Sequence, residues 1–87
     1  EYAQNNLGIL YLDGLGDAEE ALEYFETAIE LNPNYTLAYF NAARASQAMG
    51  FINDAANYYQ MAIDLNKITQ DLDEEDIVTR LHKLFDI

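Results

Sequence analysis

The sequence predicts an all-α fold in which antiparallel helix pairs stack into a short solenoid, and three observations predict it. The stretch Ala18–Asn34, AEEALEYFETAIELNPN, recurs as Asp54–Ile68, DAANYYQMAIDLNKI, at an offset of 34 residues. Ala21, Phe25, Ala28, Ile29, Leu31 and Asn32 thereby fall on Ala55, Tyr59, Ala62, Ile63, Leu65 and Asn66, and such a period is that of helix–turn–helix repeat units. Apolar residues return at spacings of three and four along most of the chain, as helical faces require. A single Pro and four Gly beside 51% hydrophobic residues leave room for long helices around a core and argue against a disordered acidic tail. One helical repeat domain over residues 1–87 is expected: a first unit over about 1–33, a second over about 34–67, and a capping helix over about 73–85.

The first helix is expected over Glu1–Asp13, with Ala3, Leu7, Leu10 and Tyr11 along one apolar face. Gly8 in its middle costs about 1 kcal/mol of helix propensity relative to Ala, which points to close approach of a neighbouring helix. DGLGD, Asp13–Asp17, reads as the first turn: Gly14 and Gly16 can end the helix, and Asp17 with Glu20 matches a capping box. The next helix, Ala18–Leu31, gathers Ala21, Leu22, Phe25, Ala28 and Ile29 on its apolar face and gives most of the remainder to glutamates. Asn32–Pro33 ends it, because proline has no N–H to donate and its ring opposes continuation, and Asn34 is expected to cap the third helix.

That third helix, about Tyr35–Met49, carries Arg44 as its one charge and a stripe of Ala38, Ala42, Ala45 and Met49, broadened by Tyr39 and Ala43. Gly50 stops it. Asp54 is expected to cap the fourth helix, Asp54–Leu65, whose face of Ala55, Tyr59, Ala62 and Ile63 repeats the second. Lys67–Asp73 reads as a break. A final amphipathic helix follows, capped by Asp73–Asp76 and running to about Phe85, with Ile77, Leu81, Leu84 and Phe85 on one side, Val78 beside them, and Arg80, His82 and Lys83 turned away.

Sixteen acidic residues against four basic ones give a net charge of −12, unevenly placed. Glu1–Pro33 holds eight acidic residues and no basic one, Asn34–Lys67 two and two, Ile68–Ile87 six and two. Such a field repels nucleic-acid phosphates and anionic lipid and speeds encounter with a basic partner. No run approaches the 18 or so apolar residues of a membrane span, and the N-terminus has no basic signal region, so a soluble chain without membrane insertion is expected. The absence of Cys leaves the redox compartment open, with the cytoplasm favoured. Opening at Glu1 on a helical pattern, the chain is expected to be a fragment of a longer protein.

The two units resemble tetratricopeptide repeats. In the first, the family pattern falls on Leu7, Gly8 and Tyr11 and then on Ala21, Phe25, Ala28 and Pro33, with Gln4 at the usual aromatic position and a turn one residue longer than standard. In the second, Tyr39 stands at that aromatic position and Ala55, Tyr59 and Ala62 complete the pattern, while Ala42 and Ala43 replace the Leu–Gly pair, Ser46 replaces the Tyr and Lys67 the closing Pro. The resemblance covers about residues 1–67. It implies a right-handed solenoid whose first helices line a concave face, and a non-catalytic module that binds a peptide segment or protein surface there. The alternative is a structural end-piece of a longer solenoid or a homo-oligomerisation domain.

The family positions facing that groove select Tyr2, Asn5, Asn6, Ile9 and Asp13 in the first unit and Leu37, Phe40, Asn41, Arg44 and Gln47 in the second. The physical reading agrees for most of them: they avoid the strongest core stripe, and aromatics, an arginine and amides combine apolar area with partners for a peptide backbone. One subtype of the family grips the C-terminal carboxylates of heat-shock chaperones with lysines and asparagines. That reading is rejected, because Asn5 and Ile9 occupy the first unit's Lys and Asn positions and Asp71 and Glu75 fall where basic residues belong.

No catalytic residues, cofactor or metal are expected. The glycines of DGLGD lack the strand and Lys of a phosphate loop, and Asp13, Asp17 and Glu20 lack the ordered oxygen ligands of a calcium loop. Glu19 with Glu23 and Glu26 with Glu30 lie one turn apart, but on an exposed face nothing drives their pKa values apart. His82 has no nucleophile or second ligand to join.

Overall fold

In a computed structural model, described for residues 1–85, five α-helices follow one another: α1 (Tyr2–Ile9), α2 (Ala18–Leu31), α3 (Thr36–Ala48), α4 (Ile52–Thr69) and α5 (Glu74–Lys83), with a π-helical segment, Leu10–Gly14, continuing α1. Each helix packs against the next in sequence. The shortest dimension of 18 Å is that of two helix layers, since a helix with its side chains is about 10 Å across. This is the sequential helix packing of a small solenoid.

Two groups of buried residues form the interior. Ala21 and Phe25 of α2 meet Ala42 and Ala45 of α3, with Ile9, Tyr11, Leu12, Leu22 and Ile29 packed around them. Ala43 of α3 meets Tyr59, Ala62 and Ile63 of α4 and Ile77 of α5, with Leu72, Val78, Leu81 and Leu84 at its edge. Tyr58 touches both groups. Helix α3 lies between α2 and α4 and buries alanines on two sides, which is why it reads as nearly charge-free. Phe25 and Tyr59 are the largest fully buried side chains, each contributing about 1.5–3 kcal/mol.

Several boundaries differ from expectation, each for a local reason. The helix does not end at Asp13: Gly14 stays helical, Leu15 N–H donates to Leu10 O at 3.1 Å across five residues, and the turn falls at Gly16, whose φ is 68°. The residue that lengthens this unit is thus absorbed in the widened helix, as π-helical segments absorb single insertions. Asp17 Oδ1 accepts from Glu20 N–H at 3.1 Å, but the capping box is only half formed, because Asp17 N–H donates to Tyr11 O at 2.8 Å.

Neither Asn34 nor Asp54 is a cap. Helix α3 starts after Tyr35, with Asn34 N–H held by Asn32 Oδ1, and α4 starts after Phe51, leaving Asp54 in the first turn where its charge suits the helix dipole. Helix α4 continues through Lys67–Thr69, so the break is confined to Gln70–Asp73. The expected apolar face of α1 is also corrected: Ala3, Leu7 and Leu10 are exposed, and Asn5 and Gly8 are the buried positions. Gly8 sits against the Phe25 ring, and that contact sets which side of α1 faces inward. Phe85 lies beyond the end of α5 and is 58% exposed rather than on its packed side.

Candidate functional site

Three helices meet on one side of the molecule because polar and aromatic side chains tie α1 to α3 and α3 to α5. Asp13, in the π-helical segment, accepts from Arg44 Nη2 at 2.6 Å. Arg44 Nη1 donates to Asn41 Oδ1 at 3.3 Å, and Asn41 Nδ2 donates to Asn5 Oδ1 at 3.0 Å. A continuous chain, Asp13–Arg44–Asn41–Asn5, therefore runs along the α1–α3 seam from solvent into the interior. At its inner end Asn5 Nδ2 has no partner. Toward α5, Arg80 lies over the Phe40 ring at 5.0 Å and Phe40 meets Tyr59 edge-on at 5.9 Å, while the Tyr59 hydroxyl donates to Gln47 Oε1 at 3.1 Å.

The ten expected site residues divide by depth. Tyr2, Asn6, Asp13 and Gln47 are exposed, and Ile9, Leu37, Phe40 and Arg44 are half-buried. Asn5 and Asn41 are 1% and 2% exposed, so the expectation that they meet a partner directly is corrected: their amides bind each other across the seam. A buried amide at a helix–helix contact needs hydrogen bonds there: Asn5 Oδ1 takes the one from Asn41 Nδ2, and Asn41 Oδ1 takes the one from Arg44. Tyr2 stacks edge-on against Tyr35 at 5.1 Å, extending the seam to the start of α3. Burial pushes the Tyr35 phenol up, with Tyr2 and Glu1 acting in the same sense and the Asn5 amide opposing. It is a neutral donor at ordinary pH.

Sequence reasoning missed Arg80 and Tyr59 as members of this face. Arg80 is exposed, as a residue turned away from the core should be, yet its guanidinium covers Phe40 while Nε donates to Asp76 Oδ2 at 3.3 Å. An arginine four residues after an aspartate is the one signal that could have marked it. Of the residues expected to oppose a chaperone clamp, Asn5 is buried, Ile9 is half-buried, and Asp71 and Glu75 are exposed carboxylates. Among the described residues, no group of three or more His, Asp or Glu comes together to hold a metal, and no helix is long and apolar enough to cross a membrane.

The fold and this seam define a class of protein: all-helical arrays that pair each helix with the next and set alternate helices side by side. Residues 2–35, which include the whole of the first helix pair, match the family model described as tetratricopeptide repeat. An uncharacterized protein of Methanocaldococcus jannaschii is 44% identical over 52 residues, which are 60% of this chain and 60% of that protein. The photosystem I assembly protein Ycf3 of Acaryochloris marina is 31% identical over 78 residues, 74% of this chain and 46% of that one. The uncharacterized protein ycf37 of Pyropia yezoensis is 31% identical over 62 residues, 71% and 34% of the two. The chain thus spans less than two thirds of the length of each curated relative it matches.

Proposed function

We propose that the chain is a non-catalytic interaction module that binds a peptide segment or protein surface along the seam of α1 and α3. In this reading residues 1–33 and 34–67 are two tetratricopeptide units of a right-handed solenoid, α1 and α3 line its concave face, and α5 closes its end. The observation that carries it is the Asp13–Arg44–Asn41–Asn5 chain, which fixes two successive first helices while Tyr2, Asn6 and Gln47 remain exposed along them. A pre-ordered surface loses less entropy when a partner docks. Asn5 and Asn41 act from beneath, holding the surface, and the partner meets Tyr2, Asn6, Ile9, Leu37, Phe40 and Arg44. The acidic field favours a basic partner. One relative is named as an assembly protein, in keeping with work done through protein contacts.

A second reading rests on Leu7, Leu10 and Leu15, which are 38%, 54% and 65% exposed. An apolar edge of this kind suits a further helix pair or a second copy of the chain, making the module a solenoid end-piece or a self-association domain. One experiment separates the two: capture of proteins from cell extract by the immobilised chain, compared with the double variants Y2A/N6A and F40A/R44A, with light scattering on each. Binding through the seam predicts folded, monomeric variants that lose their partners. Folded variants that retain every partner defeat the proposal, and partner loss that accompanies loss of a dimer assigns the surface to self-association. Y2A/N6A alters exposed side chains, so its result stands even where F40A/R44A unfolds.

A further inference from the structure

On the opposite side of α3 the structure holds a second recess. A pocket of about 300 Å³ lies between α2 and α4, walled by Leu22, Glu26, Asp54, Tyr58 and Met61 and floored by Ser46. Two features set it apart from an ordinary acidic surface. Ser46 is fully buried in the last turn of α3 and its Oγ meets no hydrogen-bond partner, although a helical serine commonly bonds the carbonyl four residues back. A buried hydroxyl without a partner is rare in folded proteins and calls for an explanation. Secondly, neither Glu26 nor Asp54 takes part in an ion pair among the described residues, and the first 33 residues hold no basic side chain. Both carboxylates are therefore open to a cation supplied by a partner.

We infer that this α2–α4 pocket receives an arginine side chain of a partner polypeptide. The walls divide by chemistry as such a side chain does. Leu22, Met61 and the Tyr58 ring give apolar surface for its methylene stem, and Met61, 51% exposed and unbranched, can shift to admit it. The guanidinium fork then has Glu26 and Asp54 as carboxylate acceptors and Ser46 Oγ as a third, and its plane can lie on an aromatic ring, which an ammonium cannot match. The Tyr58 hydroxyl donates to Glu26 Oε2 at 3.3 Å and steadies that carboxylate at the rim. Burial, followed by the Glu26 charge, pushes the Tyr58 phenol up to about 12, so it stays a donor throughout the neutral range.

The pocket shares no residue with the α1–α3 seam, and its failure would leave the seam proposal untouched. The test is an amide-shift titration of the intact chain with a blocked five-residue peptide carrying one central arginine between leucines and alanines, against the same peptide with citrulline, which keeps the shape and drops the charge. Perturbations are expected to gather at Ser46, Asp54 and Tyr58, with the citrulline peptide bound about fivefold more weakly. E26Q and D54N, both at exposed positions, are each expected to weaken the arginine peptide about threefold. Equal binding of the two peptides, perturbations confined to Tyr2, Phe40 and Arg44, titrations unchanged in both variants, or no perturbation at all would each overturn the inference.

Discussion

A methyl group added at Gly8 would be built into the Phe25 ring: its carbon would stand 2.6 Å from Cδ1 and closer still to Cε1. Phe25 is fully buried among Ala21, Ala42 and Ala45 and has nowhere to swing. Two effects compete in Gly8→Ala. The gain in helix propensity is about 1 kcal/mol, whereas forcing a methyl into a filled core costs about 1–3 kcal/mol, and here the obstruction is a whole ring. A net loss of about 1–2 kcal/mol is expected, read as a lower urea midpoint at unchanged slope. Equal or greater stability of the variant would show that α1 can withdraw from α2. Asn5 illustrates the same logic with polar groups, since it faces inward on the helix side that Gly8 selects and can stay there because Asn41 answers it.

At the scale of elements, helix ends carry the local strain. Helix α3 closes at Gly50 with φ at 82°, a conformation that glycine adopts freely, but α4 closes at Gln70 with φ at 55° and a full side chain. The loop stays in place because Asn66 holds both sides of it, accepting from Leu72 N–H and donating to Leu72 O, each at 2.8 Å. The left-handed conformation costs a non-glycine residue about 1–2 kcal/mol, part of which returns as lower unfolded-state entropy. Gln70→Gly is therefore expected to stabilise the fold by about 0.5–1 kcal/mol and raise the thermal midpoint by about 3–6 °C. A lower midpoint would mean that the Gln70 side chain contributes more than its backbone costs. Helix pairing was legible in the sequence because Ala21, Phe25 and Ala28 return as Ala55, Tyr59 and Ala62, positions buried in both copies. The π-helical segment was not, since one extra residue between Tyr11 and Ala21 fits a longer turn as well as a widened helix. Nor was the depth of Asn5 and Asn41 legible: polarity marks an amide for the surface, and only the three-dimensional seam reveals that one of them donates to the other in the interior.

Across the whole molecule, the tyrosines govern how the fold meets alkaline solution. Burial raises the phenols of Tyr35 and Tyr59, and it acts most on Tyr58, which it pushes up to about 12 from the model-peptide 10 with the Glu26 charge and the bond to Glu26 adding to it. The folded chain thus holds the Tyr58 proton more tightly than the unfolded one. The stability linked to that proton is present in full below pH 10 and is lost as pH rises through about 12. A second effect runs the same way: the chain already carries −12 at pH 7, and each further proton it loses deepens its self-repulsion. Salt separates them, because about 1 M salt shortens the screening length to roughly 3 Å and suppresses repulsion between exposed charges, while a half-buried phenol is screened much less. Urea midpoints measured from about pH 9 to pH 12 in high salt are expected to keep falling for the wild type and to fall less steeply for Tyr58→Phe, which has no proton to lose. Parallel curves for the two proteins would place the alkaline loss in the other tyrosines or in residual charge repulsion, and would show that the Tyr58 phenol is less enclosed than its packing between the two cores implies.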